Sequence, residues 1–409
     1  TELSKLMLIL KAHALSKGYS GSSLEVVERI CWHIDNNYIP LVPVQGSVGA
    51  SGDLAPLAHL FLPLIGFGYL SSNDQEYVRS QDILDKHNLN PLKLQAKEGL
   101  ALINGTQYIS AHAIRIVELF SRALDHADLI SALTLESYLG SPQPFAENLV
   151  NLRPHNGSIE VAKKMRKYLM NSELVESHKE CGRVQDPYSI RCIPQVHGAS
   201  RDALSHLIEK LECELNSVTD NPIIYSKNET YSGGNFHGQP LALPLDYVGL
   251  AASEIGNISD RRIFLLLEGK WGLPLCLIKD AGLNSGFMMV QYTSAAIASE
   301  NKSLCFPASA DSIPTGGGQE DHVSMGAISA RKTLRIVENL EKILAIELLC
   351  AAQAFDFRKP LKSSNIIEEC HKYIREKIPH ISEDTFLSEY INIATEIIKS
   401  NELLMIAQK

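Results

Sequence analysis

Neither a Cys-x-x-Cys pair nor a Cys/His grouping with zinc spacing occurs anywhere in this 409-residue chain, although it has eight cysteines. That argues against a structural zinc site. Cys213, Cys350 and Cys370 fall in helix-like segments and read as reduced core thiols. No Lys/Arg cluster is present, and the formal net charge of −9 argues against a general nucleic-acid binder. Long hydrophobic runs are also missing. The longest apolar stretch, residues 54–70, is interrupted by His59, Pro63 and two glycines, so it reads as a buried helix rather than a membrane span. No signal-peptide pattern appears, and a cytoplasmic protein without metal, membrane or nucleic-acid partners is expected. Alternating strand-type runs are scarce apart from Asn221-Pro222-Ile223-Ile224-Tyr225, and there is no internal repeat or low-complexity segment.

Helical periodicity fills the space these absences leave. Hydrophobic content of 45% and charged content of 21% suit a globular protein, and the length allows one large domain or two. Residues 2–17 place Leu3, Leu6, Met7 and Leu10 on one face, with Gly18 as the stop. Ser22-Ser23-Leu24-Glu25 has the capping-box pattern and opens a helix through about Ile34. Residues 83–97 read as loop, and residues 97–139 as helix broken at Asn104-Gly105. Residues 140–200 read as irregular connections with short helices. Long helices are expected over about 200–217, 245–268, 285–304 and 321–353, with a further group from 364 onward. The 321–353 helix would be roughly 50 Å long. It is apolar nearly all round through Leu334, Ile336, Val337, Leu340, Ile343, Leu344, Ile346 and Leu348, as a helix inside a bundle is. The expectation is an all-α long-helix bundle that packs against copies of itself. Residues 1–110 form its N-terminal portion and 111–409 the bundle.

The most reactive possibility lies at Ala50-Ser51-Gly52, inside Gly-Ser-Val-Gly-Ala-Ser-Gly-Asp-Leu-Ala-Pro-Leu-Ala-His-Leu over residues 46–60. Three small residues let the backbone turn tightly, so the Gly52 nitrogen can attack the Ala50 carbonyl carbon and close a five-membered ring. Loss of water from that ring and from Ser51 leaves an exocyclic methylidene. Such an electrophile supplies chemistry that a separate cofactor usually brings. Composition alone equally allows a plain turn. A nucleophile elbow is excluded because Asp53 stands where Gly is required, and a phosphate loop because no Lys follows.

Other stretches carry polar groups that look costly unless used. In Gln185-Asp186-Pro187-Tyr188-Ser189-Ile190-Arg191, Asp186 as N-cap and Pro187 at the first helical position open a short turn. Gln185, Tyr188 and Arg191 then share a face. This is either a capped surface turn or a grip in which Arg191 holds a carboxylate bidentately beside Tyr188 and Gln185. Asn104-Gly105-Thr106-Gln107 could be a simple turn, and residues 232–238 a glycine-rich loop. Gln319-Glu320-Asp321-His322 opens the 321–353 helix, where acidic residues also serve the helix dipole.

Residues 46–60 resemble the signature of the aromatic amino-acid ammonia-lyase family, which carries the methylidene-imidazolone (MIO) group. Further similarity spans residues 101–107, 177–198, 219–239, 284–302 and 310–326. The resemblance implies a helical aspartase/fumarase-like fold and a homotetramer whose subunits share active sites. It implies MIO formed from Ala50, Ser51 and Gly52, with the Asn104 amide on the ring carbonyl and Phe236 against the ring. Ser177-His178-Lys179-Glu180-Cys181 and Arg191-Cys192 resemble the histidine-specific branch. In that branch the residue matching Glu320, next to Gln319, faces the substrate imidazole, whereas phenylalanine-specific relatives carry an amide there. The implied reaction is deamination of L-histidine to trans-urocanate and ammonia. The amine adds to the methylidene carbon, and Tyr188 and Arg191 orient the substrate.

Two departures accompany the likeness. The family's Tyr-Gly-x-Asn-Thr-Gly-Phe-Gly-like loop, which supplies the usual base Tyr and a specificity His, precedes the region matched here, so weak or absent turnover is expected of these residues alone. Gly316-Gly317-Gly318 stands where stiffer residues are expected, and should loosen Glu320. A tyrosine or phenylalanine ammonia-lyase, an aminomutase with the same group, and a catalytically dead helical scaffold are the alternatives.

Overall fold

A computed structural model describes residues 1–72 and 76–408. In chain order the elements begin with α1 (Glu2–Ser16), α2 (Leu24–Asp35), β1 (Tyr38–Pro40), α3 (Leu54–Phe61), β2 (Tyr69–Ser72), β3 (Val78–Arg79) and α4 (Ser80–Lys86). There follow α5 (Glu98–Ile103), α6 (Gln107–Ser137), α7 (Glu147–Asn151), α8 (Asn156–Tyr168), α9 (Glu173–Ser177), α10 (Tyr188–Arg191) and α11 (Ile193–Leu215). A hairpin of β4 (Ile223–Ser226) and β5 (Glu229–Tyr231) leads into α12 (Gln239–Leu267), α13 (Met288–Leu304) and α14 (Gly326–Asp356). The chain ends with α15 (Asn365–Lys377), α16 (Leu387–Ser400) and α17 (Glu402–Gln408). Helix dominates, as periodicity predicts. No described helix is long and apolar enough to cross a membrane.

The chain divides into two compact units, each assembled from three segments. The first comprises residues 1–117, 206–247 and 307–334; the second comprises 118–205, 248–306 and 335–409. Four of the five boundaries fall within α6, α11, α12 and α14, and the fifth in the loop after α13.

The first unit packs α1, α2, α3 and α5 around Met7, Leu8, Ile30, Leu57 and Leu60, all essentially without solvent contact. An antiparallel three-stranded sheet in the order β1-β2-β3 borders this core, registering Tyr38 opposite Ser72 and Leu70 opposite Val78. In the second unit α14 is buried on every side between Ile343 and Ala352. Deleting any one of these side chains would leave a cavity, at a cost of about 2–5 kcal/mol for a Leu or Ile truncated to Ala.

Several expectations need correction. Residues 54–70 are not one helix: α3 ends at Phe61, and a 3-10 turn over Leu62–Ile65 stops at Gly66. Residues 83–97 include the end of α4. Ser23 is the N-cap of α2, but its side chain makes no capping bond; its N–H instead donates to Glu98 Oε1 at 2.9 Å. Pro187, not Asp186, is the N-cap of α10. The helix expected from residue 321 starts at Gly326, leaving Gln319 and Glu320 on a loop.

Candidate active site

The triad sits on the loop between β1 and α3 in the first unit. Ser51 has φ +47 and Gly52 φ +82, both in the left-handed region, and the Gly52 N–H donates to the Gly49 carbonyl at 3.3 Å. A Cβ on Gly52 would run into the Gly105 carbonyl and lie 3.0 Å from the Phe236 carbonyl oxygen. Only glycine fits there. The turn is thus packed closely against Gly105 and the backbone of half-buried Phe236. The residues present fit MIO.

Two backbone hydrogen bonds hold the loop to the Asn104-Gly105 turn. Gly105 N–H donates to Ser51 O at 3.3 Å and Asp53 N–H donates to Gly105 O at 2.8 Å, which together make a parallel bridge between Gly52 and Gly105. The Asn104 side chain is turned away: its Nδ2 donates to Asn221 O at 2.7 Å, and its Oδ1 is buried without a partner. The N–H that touches the Ser51 carbonyl therefore belongs to Gly105, whereas the side-chain amide of Asn104 was expected there.

Glu320 comes directly to the triad. Ser51 Oγ donates to Glu320 Oε1 at 3.2 Å, and Thr315 Oγ1 donates to Oε2 at 2.9 Å. Thr315 also pairs with Glu320 through its backbone N–H, at 2.9 Å from the Glu320 carbonyl. Gly316, Gly317 and Gly318 have φ +58, +68 and +91 and form a tight 3-10 turn. A Cβ at Gly316 would sit 2.7 Å from Glu320 Oε2. Of the three glycines, Gly316 makes room for the Glu320 carboxylate, whereas a Cβ at Gly317 or Gly318 would meet nothing within 4 Å. Gln319 is exposed beside it.

Asp53 is a site residue that sequence reasoning missed. It is fully buried, and its Oδ2 accepts from the N–H groups of Tyr108 and Ile109 at 2.9 and 3.1 Å, at the start of α6. Burial pushes its carboxyl up to about 7, against those two N–H groups and the Lys11 charge. The available signal was an acid immediately before the apolar run of α3.

Gln185, Tyr188 and Arg191 belong to the second unit. The Arg191 guanidinium lies over the Tyr188 ring, 4.6 Å from its centroid, which confirms a shared face for that pair. Gln185 and Arg191 both line an open cavity of about 700 Å³. Among the described residues no carboxylate pairs with Arg191, and its Nε is buried without a partner. Buried Ile190 anchors the turn from below, and Arg262 Nη1 reaches the Ser189 carbonyl at 3.5 Å. Arg262 is itself fixed by Glu347, with Nη2 to Oε2 at 2.9 Å, and donates to His197 Nε2 at 3.3 Å. His197 Nδ1 in turn donates to Asp128 at 2.8 Å. A fully buried chain of hydrogen-bonded polar groups, Glu347, Arg262, His197 and Asp128, therefore stands under the segment carrying Tyr188 and Arg191.

Residues 1–376 match the aromatic amino acid lyase family. The chain belongs to that family. Histidine ammonia-lyases of Natranaerobius thermophilus and Deinococcus radiodurans are 47% and 48% identical to it, over 98% and 100% of this chain and 80% and 78% of theirs. Among solved structures, a histidine ammonia-lyase from Trypanosoma cruzi superposes with a TM-score of 0.92 at 39% identity, covering 100% of this chain and 78% of that one. A tyrosine aminomutase from Streptomyces globisporus also reaches 0.92, at 35% identity over 99% and 80%. The chain spans about four fifths of the curated relatives named here. Membership makes it a carbon–nitrogen lyase with the family's helical fold.

Proposed function

We propose that this chain is an ammonia-lyase that converts L-histidine to trans-urocanate and ammonia, using MIO made from Ala50, Ser51 and Gly52. Ring closure forms a bond from Gly52 N to Ala50 C and expels the Ala50 carbonyl oxygen as water. A second water takes the Ser51 hydroxyl and its Cα hydrogen. The observation that carries this reading is Ser51 Oγ on the Glu320 carboxylate within a left-handed turn that only glycine can complete. That contact puts an acid–base group on the hydroxyl that must leave.

The ring supplies an electrophilic carbon for the substrate amine. The groups that bind and orient the substrate come from copies of this chain. Arg191, unpaired by any described carboxylate, binds the substrate carboxylate bidentately, and Tyr188 beneath it fixes the guanidinium plane. Glu320 binds the imidazole and exchanges a proton with it, a role that an amide cannot fill. Phe236 bounds the ring, Gln185 and Gln319 line the substrate's path, and the Asn104-Gly105 turn steadies the ring carbonyl. Orientation of this kind lowers the barrier to removing a β-proton that no adjacent carboxylate acidifies. We further assign a cytoplasmic homotetramer with shared active sites, consistent with half-exposed Leu250 and Phe264 on α12 and Met289 and Tyr292 on α13.

The equal TM-scores of a lyase and an aminomutase mean that the fold does not choose between them, and Glu320 favours histidine. Intact mass should fall by two waters, and L-histidine should yield urocanate when the chain is tested with the family's N-terminal loop present. A chain of undiminished mass overturns the electrophile. A dehydrated enzyme that returns a β-amino acid would establish the aminomutase instead.

A further inference from the structure

Lys11 occupies the apolar face of α1 among Met7, Leu8, Ala14 and Leu15, and is 2% exposed. A buried ammonium is costly unless its hydrogen bonds are satisfied. Lys11 Nζ donates to the Ala101 carbonyl at 3.0 Å and to the Asn104 carbonyl, at the C-terminal end of α5. No described carboxylate lies within ion-pair distance of it. Of the acids that face it, Asp220 is taken by Lys97 at 2.6 Å, and Asp53 accepts from the start of α6.

The Asn104 carbonyl and the Gly105 N–H are two ends of one amide. That N–H donates to Ser51 O, the oxygen that stays on the ring as its carbonyl after closure. Negative charge collects on this oxygen when the conjugated methylidene is attacked. A donor aimed at it does the work of an oxyanion hole. We propose that Lys11 is a positioning residue for the electrophile: held on the Asn104 carbonyl, its cation polarises the Asn104–Gly105 amide and strengthens the hydrogen bond from Gly105 to Ser51 O. Hydrogen bonds in such a chain reinforce one another in a low-dielectric interior. A neutral donor would cap a six-residue helix equally well and at less desolvation cost, so the charge itself needs a reason. Burial, opposed by Asp220 and Asp53 and helped by Lys97, brings the Lys11 pKa down to about 7. The relay therefore weakens as Lys11 loses its proton through neutrality.

The inference rests on the ring proposed above, and its test separates the two. Lys11→Met and Lys11→Gln are compared with the unmodified chain, all with the family's N-terminal loop present, by intact mass, by the absorption band of the ring, and by kcat and KM for L-histidine. In K11M both dehydrations should occur while the band shifts and kcat falls about 10- to 100-fold, less than loss of a direct donor. KM should change little, and K11Q, which keeps a neutral N–H, should lie between. A dehydrated K11M with unaltered band and kcat overturns the role of Lys11 alone. An unmodified chain lacking both dehydrations overturns the ring and this inference together. Should K11M fail to fold, K11Q and the band of the unmodified chain followed across pH 7 decide the matter; a band that stays fixed in both sinks the relay.

Discussion

At Gly316 an absent side chain places a present one: a Cβ there would meet Glu320 Oε2 at 2.7 Å, on a backbone already at φ +58. Gly316→Ala should cost about 1–2 kcal/mol of local strain. It should appear as a fall in kcat with little change in melting temperature. Glu320→Gln keeps the shape but not the proton exchange and should lower kcat about 10²–10⁴-fold. Intact mass would show whether ring formation survives; full activity in E320Q would remove Glu320 from the chemistry. The triad was legible because small residues in sequence make a tight turn in space. The orientation of Asn104 was not, since the Asn221 carbonyl that captures its amide lies far along the chain. Lys11 left a trace in the sequence, a lysine flanked at helical spacing by Met7, Leu8, Ala14 and Leu15, which periodicity alone reads as a breach in the stripe.

Among the elements, α14 was legible from its all-round apolar pattern, although it starts five residues later and ends three residues later than expected. Glu320 is held by Thr315 and Ser51 in the loop ahead of the helix. The start of α12 was placed too late: the helix begins at Gln239 and contains Pro244. The β1-β2-β3 sheet escaped detection because its strands, of two to four residues, are too short to show alternation. One polar residue, Glu347, interrupts the buried stretch of α14, and within the second unit it binds Arg262 of α12 and Thr134 of α6. Glu347→Gln leaves a buried guanidinium without its counter-charge and should cost about 3–5 kcal/mol. Chemical denaturation should show this, with much of the loss recovered when Arg262→Met is added; an E347Q variant as stable as the parent would mean that the pair is not under strain to stay matched.

For the molecule as a whole, pH is the variable on which buried groups act together. Burial pushes His33, His112 and His126 down to about 4. In the unfolded chain they protonate near 6.5, so their contribution is complete above that pH and lost as pH falls toward 4, up to about 3 kcal/mol each. Asp53 and Glu136, pushed up by burial to about 7, work the other way: their contribution is present in acid and lost as pH rises to about 7. Between pH 8 and pH 5 the two sets nearly offset each other, the three histidines slightly outweighing the two carboxyls. Glu136→Gln removes one opposing group and should widen the gap in melting temperature between pH 8 and pH 5; a narrower gap would contradict the assignment. The proposed assembly belongs to this scale too, and sedimentation should report four chains, with charged substitutions at Phe264 and Tyr292 shifting it toward smaller species.

In the proposed ring formation, the hydroxyl that leaves Ser51 is the one seated on Glu320, where the imidazole is proposed to bind. On that reading a single dehydration would yield both a reactive carbon and a vacated receptor. Cyclisation and substrate recognition would then be coupled through one carboxylate, so that an uncyclised chain fails to bind histidine as well as to deaminate it.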